Sequence, residues 1–207
     1  MFPIAREARL FVLAILVVAI LATVYLPYAV AAVFWVLLVA VVFLLRDLRR
    51  LVPSRPLGVV SPVDGRVTSV SRARDPYLKR EALVIRIRQR TLGEFNVHSP
   101  VEGRVTGRWW PEQTPEDEGA LPPGHFAIWF KTDEGDDAVV AIDLRGRFQL
   151  MHCSVQPGER TGQGRRCGLM GFGRPVTVYL PVSARVAVEP GQCLLAGSDE
   201  IASFVHG

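Results

Sequence analysis

The stretch SPVDGRV at residues 61–67 is repeated as SPVEGRV at residues 99–105, with six of its seven letters unchanged. Each copy carries a proline at its second position and an acidic residue directly before a glycine, and a β-rich run follows. Asp-Gly is a strong turn signal because both residues tolerate positive φ. The repeat therefore predicts paired β-hairpin corners in one β domain with internal pseudo-symmetry.

Short strand-like runs extend on both sides of the repeat. The run ALVIRIRQR at residues 82–90 alternates apolar and polar letters and places Leu83, Ile85 and Ile87 on one face. Many such runs, with no long amphipathic helix pattern after residue 51, predict an all-β barrel or sandwich. The stretch EPGQCLLAG at residues 189–197 resembles the hammerhead turns of barrel-sandwich domains, an analogy of fold and not of function.

The N-terminal end of the chain is much more apolar than the rest. Two uncharged runs of 17 residues occupy positions 10–26 and 29–45, separated by Pro27 and Tyr28. Each run would rise about 25 Å as a helix, slightly short of the roughly 30 Å hydrocarbon core, and flanking residues can extend it. Because proline favours a tight turn here, we expect two transmembrane helices that form a hairpin.

Basic residues at both outer ends orient the expected hairpin. A hairpin puts these ends on the same side of the membrane, and positive charge prefers the cytoplasm. We therefore expect a cell-membrane anchor at residues 1–50, a linker at 51–60 and a cytoplasmic β domain at 61–207. A cleavable signal ending at residues 29–31 and one long tilted helix through Pro27 are the alternatives. The basic residues are Arg6, Arg9, Arg46, Arg49 and Arg50.

Charge and cysteine content restrict the possible partners. The net charge is +4, and five arginines against two acids place +3 of it within residues 1–50, so no nucleic-acid surface is predicted. Cys153, Cys167 and Cys193 lack zinc-site spacing and do not make a disulfide framework, so we expect reduced thiols in the cytosol. The acidic run at residues 133–137 is typical of a surface turn, and no metal site is predicted.

Four motifs occur in the order found in phosphatidylserine decarboxylases, especially the short membrane-anchored members of that family. They resemble the family segments FFRDPxRxxP, SPADGRV, FNVH…PVxGxV and GxIxFGSRVDVYLP. Each motif alone is moderately specific at best, whereas the four in one order are fairly specific. In this chain they read FLLRDLRRLVP (43–53), SPVDGRV (61–67), FNVHSPVEGRV (95–105) and GLMGFGRPVTVYLP (168–181).

The resemblance implies a particular chemistry. Members of the family cut their own chain at a Gly-Ser bond, and the serine becomes a pyruvoyl group. This group condenses with the amine of phosphatidylserine and accepts the electrons released as CO2 leaves, which yields phosphatidylethanolamine. An aspartate and a histidine assist the self-cleavage by activating the serine hydroxyl. By motif, these two residues correspond to Asp64 and His98.

The chain departs from the family at the cleavage position. The family's FGSR reads FGRP here, so Gly173 is followed by Arg174 and then by Pro175. Arginine has no hydroxyl that could attack the preceding carbonyl, and proline stiffens the turn. The resemblance therefore predicts a phospholipid-metabolism protein that has lost self-cleavage and the pyruvoyl group.

Two other functions stay open. The first is an active phosphatidylserine decarboxylase with another pyruvoyl source, for which the candidates are Thr177, Cys167 and Ser198. The second is a membrane-tethered adaptor without catalysis. The expected ligand is a membrane phospholipid, with phosphatidylserine preferred. A homo-oligomer or an active decarboxylase is the expected protein partner.

Overall fold

The computed structural model describes residues 9–44, 57–91, 94–111, 121–146 and 150–205. The chain divides into two compact units, Met1–Arg49 and Arg50–Gly207. Of the predicted linker at 51–60, residues 51–56 lie outside the described residues, and the last three form a strand. The predicted arginines of the anchor, except Arg9, also lie outside the described residues.

The N-terminal unit contains helix α1 (Arg9–Tyr25) and helix α2 (Tyr28–Leu44). The backbone N–H of Leu26 still donates to Ala22, and the carbonyl of Pro27 accepts from Val30 and Ala31 at the start of α2. Proline lacks an N–H and restricts the residue before it, so the apolar run is divided at this point.

The predicted transmembrane hairpin at 10–26 and 29–45 is wrong. In the part of the chain that the structure describes, neither helix is both long and apolar enough to cross a membrane. The break at Pro27 leaves two helices of 17 residues each. Each rises about 25 Å, which is less than the roughly 30 Å of a hydrocarbon core.

The second unit is built from strands, all of which pair antiparallel. Within the described ranges the strands are β1 (Gly58–Val60), β2 (Gly65–Asp75), β3 (Arg80–Gln89), β4 (Asn96–His98), β5 (Gly103–Trp109), β6 (His125–Lys131), β7 (Asp137–Asp143), β8 (Met151–Cys153), β9 (Arg160–Thr161), β10 (Arg166–Met170), β11 (Pro175–Pro181), β12 (Arg185–Val186), β13 (Cys193–Leu194) and β14 (Glu200–Ser203).

In the part of the chain that the structure describes, this pairing produces three sheets. The large one has eight strands in the order β13-β2-β3-β11-β7-β6-β5-β9. Two small sheets have three strands each, in the orders β1-β14-β12 and β4-β10-β8. The sequence predicted a barrel-sandwich with hammerhead turns. That prediction is wrong, because the strands form one large sheet and two small ones in the described residues.

The predicted hairpin corners are also wrong. β1 pairs with β14 and β4 pairs with β10, so each copy of the repeat leads from a small sheet into the large one. Neither Gly65 nor Gly103 adopts positive φ, so the mirror-image turn that Asp-Gly favours in hairpins does not form. The two corners are sheet-to-sheet crossings.

Strand β3 shows how the large sheet separates a core face from an outer face. Leu83, Ile85 and Ile87 are buried in the main hydrophobic core, as their alternation predicts. Arg86 and Arg88 point to the opposite face and are exposed. This alternation places arginines in a row on the outer face of the sheet.

Candidate functional site

The two copies of the repeat contact each other through matching backbone hydrogen bonds. The N–H of Val60 donates to the carbonyl of Pro100 at 2.9 Å, and the N–H of His98 donates to the carbonyl of Pro62 at 2.8 Å. In both cases the residue directly before one copy bonds to the proline of the other copy. The corners therefore form one reciprocal junction, which explains why the same short sequence is needed twice.

The serine of each copy forms a hydrogen bond within its own turn, and the two bonds are equivalent. The hydroxyl of Ser61 donates to the carbonyl of Val63 at 2.8 Å, and that of Ser99 donates to Val101 at 2.7 Å. Both serines are fully buried. A local side-chain bond of this kind offers the backbone an alternative to strand pairing, which is what a corner requires.

The glycine of each copy lets the next strand begin close to its neighbour. A Cβ at Gly65 would overlap the backbone carbonyl of Arg88, and one at Gly103 would overlap that of Lys131. Both obstacles are backbone atoms of paired strands and cannot move aside freely. The glycines are therefore required by close approach and not by φ.

Asp64 holds two separate segments of the chain together. Its carboxylate accepts the N–H of Ala196 at 2.8 Å through Oδ1 and the N–H of Glu94 at 3.1 Å through Oδ2. Its own carbonyl accepts the N–H of Arg90 at 2.9 Å. The residue is 4% exposed, so these charge-assisted bonds form in a largely dry environment.

His98 lies between two oxygen acceptors. Nδ1 lies 2.8 Å from the carbonyl oxygen of Gly164, and Nε2 lies 3.2 Å from Oε1 of Glu94. The side chain of His98 is 9% exposed and that of Glu94 is completely buried. Both ring nitrogens of His98 are therefore engaged by oxygen atoms of the chain itself.

Glu94 joins the two predicted relay residues. Its backbone N–H binds Asp64 and its carboxylate binds His98. The side-chain amide of Asn96 also donates to Oε1 of Glu94. The prediction from sequence missed Glu94 because it precedes the FNVH motif without matching any family letter. The signal present in the sequence was a carboxylate four residues before the histidine. Only the fold shows that this side chain is buried.

The cleavage position, at Gly173 and Arg174, contacts Gln89, and the next residue, Arg90, bonds to Asp64. The N–H of Arg174 donates to Oε1 of Gln89 at 3.2 Å, and its carbonyl accepts the N–H of Gln89 at 3.0 Å. Its guanidinium Nη1 donates to the carbonyl of Arg145. Arg174 is 8% exposed, and Gly173 before it adopts positive φ at 60°. Gly173 is thus a tight turn that leads into a buried arginine.

Residue 174 does not fit the pyruvoyl group that the family resemblance implies. A pyruvoyl forms from a serine hydroxyl, and the side chain here is a guanidinium bound to a backbone carbonyl. We therefore derive no catalytic step at Gly173 and Arg174.

The other suggested pyruvoyl sources differ in their surroundings. Thr177 lies in the middle of β11, paired with Arg86 on one side and Ala141 on the other. Cys167 is fully buried, and burial raises the pKa of its thiol to about 12, so it remains protonated at neutral pH.

Ser198 follows Gly197 in a turn beside the Asp64 and His98 side chains. Asp64 binds the N–H of Ala196, and a Cβ placed on Gly197 would lie 3.2 Å from Nδ1 of His98. The literal Gly-Ser pair of this chain is therefore next to both predicted relay residues, which sequence separation alone did not indicate.

Metal ligation has no support in the described ranges. In residues 9–44, 57–91, 94–111, 121–146 and 150–205, no group of three or more His, Cys, Asp or Glu side chains is placed to hold a metal ion. His125 has its Nδ1 3.0 Å from the carbonyl of Pro123, and His152 lies on β8. The side chain of His152 is exposed.

Comparison with known proteins supplies close relatives. No protein-family model matches the chain. The phosphatidylserine decarboxylase proenzyme of Nitrosomonas europaea is 34% identical over 215 residues, which cover 97% of this chain and 95% of that protein. The proenzymes of Burkholderia multivorans and Paraburkholderia xenovorans are each 35% identical over 209 residues, again with 97% of this chain covered and with 96% and 97% of those proteins.

These similarities extend over nearly the full length of both partners, far beyond the four motifs. The chain therefore belongs to the phosphatidylserine decarboxylase family, whose named members act in phospholipid metabolism.

Proposed function

We propose that this chain is a phospholipid-binding member of the family that stays uncut, forms no pyruvoyl group and does not decarboxylate phosphatidylserine. The observation that carries the proposal is Arg174 at the cleavage position, buried and hydrogen-bonded through its backbone and its guanidinium. Without a hydroxyl at this position the acyl shift that opens the chain has no nucleophile.

The surroundings of His98 support the same proposal. A histidine that activates a serine must accept its proton through a ring nitrogen, whereas the two ring nitrogens of His98 already lie against the carbonyl oxygen of Gly164 and Oε1 of Glu94. The Glu94 side chain that contacts Nε2 is completely buried. We therefore assign the contact between Glu94 and His98 a structural role at the junction between the two copies.

The test is the covalent state of the purified full-length chain. We expect one band on a denaturing gel and an intact mass of 22.9 kDa. Incubation with a primary amine and cyanoborohydride should add no mass, because no ketone is present to trap the amine. Two fragments with a cut between Gly173 and Arg174, or a trapped amine on the chain, would contradict the proposal.

A second candidate function is an active decarboxylase cut between Gly197 and Ser198. The position of this bond beside Asp64 and His98 favours it over Thr177 and Cys167. The same mass measurement separates the two functions, because this cut releases a peptide that begins at residue 198. The variant Ser198→Ala should then prevent cleavage, whereas Ser183→Ala, at an exposed turn, should not.

The proposed ligand is a membrane phospholipid, and the proposed location is the cytoplasmic face of the cell membrane. Large apolar side chains on α1 and α2 are exposed, such as Leu13 at 61%, Val24 at 69% and Val36 at 69%. Exposed apolar surface of this extent favours contact with lipid or with another protein. The three free cysteines suit a reducing compartment.

Membrane association is tested by fractionation. We expect the chain in the membrane fraction of cells, and protease should reach the β domain only in inverted vesicles. A chain that stays in the supernatant would contradict this proposal. Co-purification with an active phosphatidylserine decarboxylase, or self-association in light scattering, would identify the protein partner.

A further inference from the structure

A groove on the outer face of the large sheet carries a concentration of positive charge. It has a volume of about 530 Å³ and begins next to the cleavage position. We call it the arginine groove and define it by the residues that line it, among them Arg66, Thr68, Arg88, Arg90, Thr91 and Gly173.

Two of these arginines face each other across paired strands. Arg66 on β2 lies directly opposite Arg88 on β3. Like charges in opposite positions of an antiparallel pair destabilise the sheet. The same row continues with Cys193 beside Arg66 and Pro175 beside Arg88, neither of which carries a negative charge. The fold therefore brings the two cations together without a compensating acid in the row.

The arginines of the groove keep their charges available. Over the described residues, none of the carboxylates forms an ion pair with Arg66, Arg88 or Arg90. Arg66 donates through Nε to the carbonyl of Gly191 at 2.6 Å, a contact that orients its guanidinium without neutralising it. All three side chains are exposed, so a ligand can reach them.

The position of the groove connects it to the family's reaction centre. Gly173 lines its end, and the hydroxyl of Thr91 lies 3.9 Å from where a Cβ of Gly173 would stand. Gln89, between Arg88 and Arg90, binds the backbone of Arg174. An anion held by the arginines would therefore sit against the turn at which active relatives carry their cleavage bond.

We propose that the arginine groove binds the phosphate of a phosphate-bearing ligand. Guanidinium groups present paired N–H donors that match phosphate oxygens, and an anion between Arg66 and Arg88 removes their mutual repulsion. The same phosphate chemistry occurs in a lipid head group and in free phosphate. That the source is a phospholipid rests on the proposed function, whereas the groove itself rests on the contacts above.

The test uses the full-length chain and two matched double variants. The double variant Arg66→Gln, Arg88→Gln removes the two facing positive charges from the groove. Arg72→Gln with Arg74→Gln is the control, because both residues are exposed on the same strand β2 and lie outside the groove. Each variant loses the same charge, so general attraction to anions changes equally in both.

Three probes distinguish the sources of the phosphate. Inorganic phosphate and glycerophosphoserine, the head group without acyl chains, are titrated by calorimetry. Vesicles of phosphatidylcholine with and without phosphatidylserine are tested by flotation. We expect the groove variant to bind glycerophosphoserine at least about tenfold more weakly, since two charge-assisted contacts are lost, and the control to match the parent chain.

Thermal unfolding at low salt supplies a readout that does not depend on the ligand. Removal of the facing cations should raise the midpoint of the groove variant relative to the control, which also shows that the variant folds. An equal loss of binding in both variants, or no binding of any probe by the parent chain, would overturn the proposal.

Binding of phosphate or glycerophosphoserine without binding of vesicles would keep the groove and reject the lipid source. The intact mass is measured separately. A cut chain would contradict the proposed function, whereas loss of phosphate binding would contradict the groove proposal.

Discussion

The two copies of the repeat have nearly the same sequence and the same local geometry but different surroundings. Ser61 and Ser99 make the same bond within their turns, and the proline carbonyl of each copy accepts one backbone bond from the residue directly before the other copy. The acids differ completely: Asp64 is 4% exposed and binds two backbone N–H groups, while the side chain of Glu102 is 60% exposed.

Glu102 contributes only a surface ion pair. Its Oε1 lies 3.2 Å from Nη2 of Arg160, which also contacts Asp133 and is itself well exposed. Such pairs are worth little because water screens them. The comparison teaches that the repeated letters specify a corner, whereas the segments packed against each corner decide which acid belongs to the site.

The largest expected difference separates Asp64→Asn from Glu102→Gln. An amide at position 64 presents donors to one of two buried N–H groups, so we expect a loss of about 4 kcal/mol in the free energy of unfolding. The exposed Glu102→Gln should cost less than about 0.5 kcal/mol. Urea denaturation of the full chain measures both. Similar losses for the two variants would break the comparison.

The glycines should behave alike, in contrast to the acids. Gly65→Ala and Gly103→Ala each force a Cβ against the backbone of a paired strand, so we expect losses of about 2 kcal/mol for both. Gly162→Ala is the control, since nothing lies within 4 Å of a Cβ there. A harmless substitution in one copy only would show that the corners are not equivalent.

A smaller and equal effect is expected for the serines. Ser61→Ala and Ser99→Ala each remove one buried hydroxyl that donates within its turn, at a cost of about 1 kcal/mol. Denaturation curves of the two variants should therefore coincide. The exposed Ser183→Ala serves as the unaffected reference, and a clear gap between Ser61→Ala and Ser99→Ala would limit the symmetry to the backbone.

The smallest expected effect on stability concerns two cysteines whose strands pair with strands near the two copies. Cys193 is exposed beside Arg66 in the first copy, and Cys167 is buried beside the strand of His98. Burial raises the pKa of Cys167 from 9.0 to about 12, so the folded chain holds this proton more tightly than the unfolded chain. Its contribution is complete below pH 9.0 and is lost as the pH rises toward 12.

Between pH 8 and 9.5 this linkage should remove less than about 1 kcal/mol from the free energy of unfolding. Cys167→Ala should abolish that part of the pH dependence, and Cys193→Ala should leave it unchanged. Identical slopes for Cys167→Ala and the parent chain would refute the assignment. At neutral pH, iodoacetamide should modify Cys193 readily and Cys167 only after unfolding.

Much of the fold could be predicted from the chain. Alternation in β3 predicted which residues face the core, and recurrent turn signals predicted strands after residue 51. The pairing could not be predicted, because Asp-Gly specifies a change of direction and not the strand that comes next to it. The apolar letters predicted the two helices, but the prediction that they form a transmembrane hairpin was wrong, because Pro27 limits the length of each described helix.

The site was only partly predictable. The motifs identified Asp64 and His98, which lie at the junction of the repeat, and Gly173 and Arg174, of which Arg174 is bonded to Gln89. Glu94 escaped because its role depends on a turn that brings its carboxylate inward. The cross-strand pairing of Arg66 with Arg88 also depends on strand register, which a single sequence does not reveal.

The chain by itself determined two things: the chemistry present at position 174 and the local serine hydrogen bond within each corner. A guanidinium cannot become a ketone in any fold, and the bonds of Ser61 and Ser99 span only two residues. Tertiary structure decided which acid is buried, what His98 binds and where the arginines meet. These properties depend on contacts between segments far apart in sequence, such as Asp64 with Ala196, and only a complete fold makes such contacts.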